Sequence, residues 1–456
     1  MNNLYVGFAR TNITPMRGIG LSGYFLERPN EGVLDELEIN AIAIKAGEKQ
    51  MILLSADLLY IETEIMDDFR ATISKATGVD EDAIFIHCTH THTGPLAEFH
   101  STVNIVDESN IGIITEYVNF LRYRAKDVSV AAMEDLKPAK MGYGVGKASN
   151  IAFIRRYRMK DGSVRTNPGV NNPDIVEPVG ELDESVNIVR FDREGANSIA
   201  LVNYANHPDT VGGSKVSADW PGFFRRSLEK ALDNVSCIFF NGAQGDVNHV
   251  NVHPTKGYLN DMFMDFDDVA RGYGHARYMG RVLAGSVLQV WDKVEYVDVE
   301  SIGYAQKVAD IPSNRPLPEE LPEARKINEL HLAGKDEEIP YKGMMLTTMV
   351  ADAGRKIRLE HGPDSFGMRF SAASIGNVAL FGMPGEPFNS IGRAVKDEAK
   401  GWDLIIPCCL VNGCDGYFPS TDAYVDGGYE ARSSSFKSGV AERIVENAIE
   451  LLDKIH

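Results

Sequence analysis

The sequence contains little that would bind nucleic acid or span a membrane. Its 456 residues include 46 Lys and Arg against 65 Asp and Glu, which gives a formal net charge of -19. Such a charge repels phosphate backbones and anionic lipid surfaces, so nucleic-acid binding is excluded. No stretch approaches about 18 uninterrupted apolar residues, and the N-terminal residues do not combine a basic segment with an apolar one. We therefore expect no membrane span and, by default, a cytoplasmic location.

Cysteine is also scarce. The five cysteines are odd in number and mostly lie within apolar runs; they are Cys88, Cys237, Cys408, Cys409 and Cys414. We expect buried free thiols and no disulfide framework.

Several catalytic signatures are missing as well. The sequence has no GxxxxGK[ST] loop, no GxGxxG ahead of a helix, no GxSxG elbow and no HExxH motif. Phosphate binding by a P-loop, a serine triad and a zincin-type helix are therefore not supported.

Short apolar runs alternate with helical periodicity along the chain. The runs end in Gly, Pro, Asn or Asp and lie at 51–58, 83–90, 198–208, 235–246, 377–387 and 403–417. Helical periodicity spans 113–133, 223–232 and 275–291. This alternation predicts an α/β fold with a mixed, mostly buried β-sheet flanked by helices. We expect a single domain over residues 1–456, with the charged, proline-punctuated stretch 316–340 as a surface excursion and candidate lid.

What the sequence does contain is a histidine cluster. The chain has 11 histidines, and His87, His90 and His92 all fall in the stretch IFIHCTHTHTGP at 84–95. If the strand stays extended there, His90 and His92 project to one side and His87 to the other. Two imidazoles on one side suit a zinc ion or a developing oxyanion. The alternative for each histidine is a hydrogen-bonded core residue.

Polar residues also follow the other predicted strands. They are Asn206 and His207, then Gln244, Asp246 and Asn248, then Glu386, and finally Asp415 and Tyr417. Because loops from several strands converge at their carboxyl ends, we expect the active site in these loops. Asn206 is a candidate to orient His207 through a hydrogen bond. Each motif alone also fits an ordinary polar turn, a helix N-terminal charge or a surface loop.

Six motifs occur in one order along nearly the whole chain. They are VGFARTNITP at 6–15, THTHTGP at 89–95, NHPDTVG at 206–212, NGAQGDVN at 241–248, MPGEP at 383–387 and GYFPSTDAYVDGGYEARSS at 416–434. Together they resemble the catalytic domain of the neutral, non-lysosomal ceramidase family. The resemblance implies a zinc ion held by four residues: His90, His207, Glu386 and Tyr417.

The resemblance also implies that His92, Tyr429 and Arg155 line the reacting centre. Arg156 is the alternative to Arg155, because Ile154 replaces the asparagine of the family's Asn-Arg pair. The implied activity is zinc-dependent hydrolysis of an amide (N-acyl) bond by metal-activated water. The substrate would be a sphingolipid, with a role in lipid metabolism, or a soluble amide. Manganese or iron would accept the same types of ligand.

Two departures from the family bear on this activity. Asn248 stands where the ceramidases have a serine, so a covalent serine mechanism is not expected. The chain also ends at His456 without the immunoglobulin-like domain and secretion signal of the ceramidases, which weakens the case for membrane ceramide. The alternatives are a zinc hydrolase of a small polar N-acyl, ester or lactone metabolite, a non-catalytic metal-binding homologue, and a structural protein with buried histidines. Asp219 and Asp246 are expected to support the metal ligands or to be structural, and not to be catalytic.

Overall fold

The fold is built on two β-sheets. The computed structural model describes residues 3–25, 28–99 and 108–456. In those residues the larger sheet contains β1 (Leu4–Asn12), β2 (Glu38–Ala46), β3 (Lys49–Ala56), β4 (Ile84–Cys88), β5 (Lys137–Lys147), β6 (Ser185–Arg193), β7 (Ser198–Tyr204), β8 (Val235–Asn241) and β9 (Glu295–Val297). The smaller sheet contains β10 (Ile302–Pro312), β11 (Ser365–Ile375), β12 (Val378–Gly382) and β13 (Leu404–Cys408).

Both sheets are mixed. The larger sheet has the order β8-β7-β6-β5-β1-β2-β3-β4, with β9 beside β5, and its parallel pairs are β3 with β4 and β7 with β8. The smaller sheet has the order β10-β11-β12-β13, of which only β12 and β13 run parallel. The prediction of an α/β fold with a mixed sheet is confirmed.

The helices of the described residues are α1 (Thr63–Thr77), α2 (Ile111–Glu134), α3 (Asp219–Ala231), α4 (Tyr273–Trp291), α5 (Leu321–Leu332), α6 (Gly343–Leu359), α7 (Asn389–Glu398), α8 (Thr421–Asp426), α9 (Tyr429–Ser433) and α10 (Val440–Ile455). Short strands lie at 20–21, 28–29, 32–33, 153–154, 156–159, 164–166, 175–178, 215–216, 247–248, 263–264, 270–271, 386–387 and 417–418. No helix among the described residues is both long and apolar enough to cross a membrane.

Three hydrophobic cores hold these layers together. The largest contains residues of both sheets, such as Leu53 of β3 and Leu380 of β12, and apolar residues of α1 and α2 pack into it. A second core joins α3 and α4 to the β6–β8 side of the larger sheet, and in it Trp220 packs edge to face against Phe239. A third joins α7 and α10 to the smaller sheet. Strands buried on both faces explain the continuous apolar runs of the sequence.

The two edge strands of the larger sheet meet at their carboxyl ends. His87 in β4 accepts a hydrogen bond at Nε2 from the backbone N–H of Asn241 at the end of β8, at 2.9 Å. Its Nδ1 therefore carries the proton and donates to Ser55 Oγ at 3.0 Å, and Ser55 donates onward to the Phe239 carbonyl. Burial lowers the pKa of His87 to about 3. His87 is thus a hydrogen-bonded core residue that fastens one sheet edge to the other.

The stretch 316–340 forms α5 between two short 3-10 turns, at 318–320 and 336–338. It packs on α6 through a small apolar cluster that includes Ala324, Ile327 and Val350, against which Phe25 also packs. Its function as a lid and the single-domain organisation of residues 1–456 stay predictions. All five cysteines are free thiols, and four are buried, as the sequence predicts.

Candidate active site

The loop after β4 carries His90 and His92, but not by continuing the strand. β4 ends at Cys88, and His90 has a positive φ of 76°. The prediction that an extended strand projects both rings to one side is therefore wrong. A compact turn brings them together instead, because Thr91 and Thr93 both donate through their hydroxyls to the Ser217 carbonyl, at 2.7 and 3.1 Å.

Asn241, at the end of β8, ties this loop to the loop after β7. Its side-chain amide donates to the carbonyls of Thr89 and Asn206, at 3.1 and 2.9 Å. This one side chain therefore fixes the spacing between the THTH turn and the turn that carries His207. The sequence analysis missed Asn241, for which the only signal is a polar residue at the end of an apolar run.

Backbone carbonyls orient the His207 ring. Its Nδ1 lies 2.9 Å from the Gln244 carbonyl and 3.1 Å from that of Val247, so Nδ1 carries the proton and Nε2 the lone pair. Asn206 does not orient the ring, because its side chain donates to the Ile151 carbonyl instead. Burial, reinforced by the nearby Arg155 cation, lowers the pKa of His207 to about 4. The ring is therefore neutral near pH 7.

Glu386 and Tyr417 face each other across a two-residue parallel strand pair. Glu386–Pro387 pairs with Tyr417–Phe418, and Glu386 is opposite Tyr417. The backbone of Glu386 leaves no room for a side chain at position 245, where a Cβ on Gly245 would lie 2.4 Å from the Glu386 carbonyl oxygen. Gln244 donates to Glu386 Oε2 at 3.3 Å. Strand pairing and close packing thus fix the backbone positions from which the Glu386 and Tyr417 side chains project.

The structure brings these side chains to one point. Glu386 Oε2 lies 3.1 Å from Nε2 of His90 and 3.1 Å from Nε2 of His207. His92 Nε2 is 3.4 Å from His90 Nε2, and the Tyr417 hydroxyl is 3.3 Å from His207 Nε2. Ligand atoms of the three histidines all lie within 4.8 Å of one another. The four ligands implied by the resemblance therefore converge, with His92 beside them.

This donor set fits a divalent metal. The ring proton of His90 lies on Nδ1, which faces the Leu59 carbonyl at 3.1 Å, so both His90 and His207 direct lone pairs at a carboxylate oxygen. Lone pairs in such contact repel one another unless a cation lies between them. Atoms that bind zinc at about 2.0–2.1 Å lie about 3.3 Å apart in tetrahedral geometry, which matches these separations.

Arg155, and not Arg156, faces this centre. Arg155 Nη1 lies 3.5 Å from His207 Nε2, whereas Arg156 reaches the Gly427 carbonyl and covers the Phe388 ring. Arg155 also donates through Nε to Glu430 at 2.7 Å and through Nη2 to the Gly245 carbonyl at 2.7 Å. Its guanidinium is therefore held in one orientation.

Glu430 is the buried partner that the sequence analysis missed. Its side chain is 0% exposed, and its second oxygen accepts a hydrogen bond from Thr166 at 2.9 Å. The signal was present in GYEARSS, but a glutamate inside a glycine-rich loop looks like a surface residue. Its pairing with Arg155, 275 residues away, is visible only in the fold.

Tyr429 lies beside Tyr417, with the two ring centroids 5.5 Å apart. Burial first, and Glu386 second, raise the pKa of both hydroxyls above their ordinary value. Both rings line a cavity of about 60 Å³ that opens onto the donor set. The other described lining residues are Gly23, Phe25, Leu59, Tyr60, His90, His92, Ala351, Arg358, Glu386, Cys414, Asp415, Gly416, Ser433 and Ser435.

Three further polar residues from the sequence analysis have structural contacts instead. Asn248 donates to Asn167 at 3.0 Å, and Asp246 accepts from the backbone N–H of Asn389 at 2.7 Å. Asp219 accepts from the backbone N–H groups of Thr210 and Val211 at 2.9 and 2.8 Å, so it shapes the loop after His207. These contacts agree with the structural assignment of Asp219 and Asp246.

Comparisons with known proteins identify which solved structures share this fold. No protein-family model matches the sequence, and no curated protein matches it significantly. The neutral ceramidase from Pseudomonas aeruginosa superposes with a TM-score of 0.72 at 17% identity, covering 100% of this chain and 75% of that one. This chain has the neutral ceramidase fold. A ceramidase complexed with C2 matches equally well, with a TM-score of 0.72 at 16% identity over 99% of this chain and 75% of that one.

At this level of identity the likeness covers the fold alone. Within the neutral ceramidase fold, the roles of His90, His92, His207, Glu386 and Tyr417 have to be argued from their own geometry. The assignment of Arg155, Tyr429 and His92 to the reacting centre stays a prediction.

Proposed function

We propose that the protein is a metal-dependent hydrolase that cleaves the amide bond of an N-acyl compound. The observation that carries the proposal is the contact of two imidazole nitrogens, Nε2 of His90 and Nε2 of His207, with one carboxylate oxygen of Glu386, at 3.1 Å each. Such a group of electron-donating atoms is suited to bind a cation. The likeness to two structures named as ceramidases supports an amide as the bond that is cleaved. Zinc is the metal we propose, because two imidazoles and a carboxylate suit its coordination.

A divalent metal bound there would act as a Lewis acid on the amide carbonyl and on the attacking water. The chain itself supplies the donors for the charge that develops on the carbonyl oxygen. Arg155 is a fixed cation, and Tyr429 keeps its proton because burial raises its pKa. Donors that are already oriented before the reaction are worth about a hundredfold or more in rate each.

The hydrogen bonds of Arg155 explain why it can act as such a donor. Glu430 and the Gly245 carbonyl take up its Nε and Nη2 hydrogens, which leaves Nη1 directed at the centre. Preorganisation of this kind avoids reorientation during the reaction. Tyr417 belongs to the same arrangement, with the Arg155 guanidinium 5.5 Å from the Tyr417 ring.

The cavity favours a small polar N-acyl substrate as a second candidate beside ceramide. Among the described lining residues, Arg358 carries a permanent positive charge, and Ser433 and Ser435 add hydroxyl groups. A lipid amide needs a long apolar channel, whereas hydrogen-bonding groups suit an acylated amino acid or amino sugar.

The test is a metal and activity measurement on matched variants. The protein is stripped with a chelator, reloaded with zinc, and assayed on a short-chain ceramide and on N-acetylated amino acids and amino sugars. We expect about one zinc per chain, with both zinc and turnover lost in Glu386→Gln. The control is Glu398→Gln, an exposed carboxylate at the end of α7.

Three results would separate the candidates. Turnover confined to the soluble amides supports the polar substrate, and ceramide turnover supports the lipid one. Zinc without turnover of any amide would favour a non-catalytic metal-binding protein. If the wild type takes up no metal, the proposal fails, and the histidines are structural.

We also propose a cytoplasmic location. The support is the set of five free cysteines, since unpaired thiols are typical of reducing compartments. Fractionation of the producing cells tests this location.

A further inference from the structure

A permanent cation lies at the mouth of the cavity that opens onto the donor set. Arg358 belongs to the last turn of α6, is exposed to solvent, and lines this cavity together with His90 and Glu386. The helix dipole stabilises a cation in the last turn of a helix wherever its side chain points. The place of Arg358 on α6 is therefore ordinary, whereas the direction of its side chain needs an explanation.

The Arg358 side chain leaves α6 and reaches the segment after α9. Its Nη2 donates to the Ser435 hydroxyl at 2.9 Å, and Ser435 lines the same cavity. Ser435 accepts this hydrogen bond through its oxygen, so its own hydroxyl hydrogen is available for a second bond. None of the residues that the structure describes accepts that hydrogen. Arg358 and Ser435 thus place two kinds of hydrogen-bond donor on one wall of the cavity.

The surroundings of Arg358 favour an anion. Protein packed around this exposed side chain removes part of its hydration and lowers the pKa of Arg358, and the Arg355 cation, one turn earlier in α6, lowers it further. Arg355 is itself fixed, because it donates to Asp352 at 2.9 Å and to the carbonyls of Asn314 and Arg432 at 2.6 and 2.7 Å. An anion in the cavity would offset both effects on Arg358.

Two carboxylates also line the described part of the cavity, and each has a counterpart of its own. Glu386 contacts the Nε2 atoms of two histidines and would be neutralised by the proposed metal. Asp415 interacts electrostatically with the Arg369 cation of β11. Arg358 bonds to a neutral hydroxyl, and this contact does not neutralise its charge. The cavity thus offers a positive charge at its mouth and a metal site among its buried residues.

The cation and the metal site are close enough to hold one small molecule between them. Leu59 and Tyr60 are consecutive residues of the cavity wall. His90 donates through Nδ1 to the Leu59 carbonyl at 3.1 Å, and Tyr60 interacts electrostatically with Arg358. Since consecutive residues are only one peptide unit apart, we expect an anion bound at Arg358 to lie a few bonds from an amide bound at the donor set.

We propose that Arg358 and Ser435 bind an anionic group of the substrate, so that the preferred amides have a carboxylate close to the scissile bond, as in an N-acyl amino acid. The inference rests on the proposed function and narrows its substrate class. A guanidinium and a hydroxyl suit a carboxylate, because both of its oxygens accept hydrogen bonds. A carboxylate in the amine half or in the acyl half has this chemistry, and the test distinguishes the two halves.

The first test compares substrates that differ in charge. N-acetylalanine and its neutral amide vary the charge in the amine half, and N-ethylsuccinamic acid and its neutral amide vary it in the acyl half. Release of acetate or of ethylamine by the zinc-loaded protein gives kcat/KM for each compound. We expect the acid of at least one pair to exceed its neutral partner by about tenfold or more, which is the typical effect of a hydrogen bond to a charged group.

Matched variants assign this preference to the two residues. Arg358→Gln should abolish it by raising KM for the acid, and Ser435→Ala should reduce it. Arg358→Lys should retain part of the preference, since lysine keeps the charge and loses the planar fork. The control is Arg325→Gln, which removes a cation of the neighbouring helix α5 that pairs with Glu360 at 2.7 Å. The ratio of acid to neutral amide should stay at the wild-type value in this control.

A binding measurement on metal-free protein separates the anion site from the hydrolysis. Chelator-treated protein is titrated with the same acids and neutral amides in a calorimeter. We expect one acid to bind about tenfold tighter than its neutral partner, because the charged hydrogen bonds do not need the metal. The difference should disappear in Arg358→Gln and persist in Arg325→Gln.

A wild type that prefers neither acid, in turnover and in binding, would overturn the inference, and this comparison needs no variant to fold. A full preference in Arg358→Gln would overturn it as well. If metal-free protein binds an acid through Arg358 but the zinc-loaded protein hydrolyses no amide, the anion site stands and the proposed hydrolysis fails. If ceramide or neutral amides are hydrolysed and no acid is preferred, the hydrolysis stands and the inference fails.

Discussion

The buried ion pair of Arg155 and Glu430 gives a prediction whose magnitude follows from its surroundings. The Arg155 and Glu430 side chains are 7% and 0% exposed and joined at 2.7 Å, and each makes a further hydrogen bond, to the Gly245 carbonyl and to the Thr166 hydroxyl respectively. Replacing Glu430 by Gln leaves the shape but removes the charge, so the Arg155 cation stays buried without its counter-ion. Breaking a buried pair from one side costs about 3–5 kcal/mol of unfolding free energy.

A double-mutant cycle isolates the pair from other effects of each substitution. We expect Glu430→Gln and Arg155→Met each to cost about 3 kcal/mol or more in urea unfolding, and the double variant to cost about 2 kcal/mol less than their sum. Turnover should fall in Glu430→Gln as well, because Arg155 loses the contact that orients it. The control is Glu181→Gln, which breaks the ion pair between Glu181 and Arg393. The Glu181 side chain is 78% exposed and the Arg393 side chain 35%. Such an exposed pair is worth under about 1 kcal/mol.

The result that refutes this reasoning is a Glu430→Gln variant no less stable than Glu181→Gln. Additive single and double variants would also refute it, since they would show that the two side chains do not depend on each other.

Three further predictions concern the same region. First, stability should depend on pH through His87, whose folded pKa of about 3 lies below its unfolded value near 6.5, so stability is lost as pH falls. Between pH 7 and 5 the wild type should lose about 2 kcal/mol more than His87→Gln in urea unfolding, and equal losses would contradict this. Second, Gly245→Ala should weaken zinc binding, because a Cβ there would lie 2.4 Å from the Glu386 carbonyl oxygen; an unchanged dissociation constant would show that the Glu386 backbone moves freely. Third, removing zinc with a chelator should lower unfolding stability, by about 4 kcal/mol where the zinc concentration was about 1,000 times its dissociation constant. An equal urea midpoint with and without chelator would exclude a site formed only in the folded state.

The sequence predicted the fold class and the groups that meet, because both depend on local patterns. Apolar runs identified the buried strands, and polar residues just beyond them identified loops that converge at strand ends. His207, Glu386 and Tyr417 were among the polar residues found in this way, and the resemblance to the neutral ceramidases then selected them as metal ligands.

What the sequence could not predict depends on contacts between distant segments. The positive φ of His90 arises in a turn held by the Ser217 carbonyl, more than a hundred residues away. His90 and His92 do lie side by side, but the turn brings them together and not the alternation of side chains along an extended strand. Glu430 was missed for the same cause. A lone acidic residue in a loop looks solvated until its arginine partner is placed beside it.

The two-residue strand pair of Glu386 and Tyr417 constrains how this chain can vary. Backbone hydrogen bonds from Glu386 N–H to the Gly416 carbonyl at 2.8 Å and from Phe388 N–H to the Phe418 carbonyl at 3.1 Å set its register. A slip of one residue would turn Tyr417 to the opposite face, away from the carboxylate. The segment between the two strands can therefore gain or lose residues only where the pairing is preserved. Indels there should be tolerated at the exposed end of α7 and rejected beside Pro387 or Gly416.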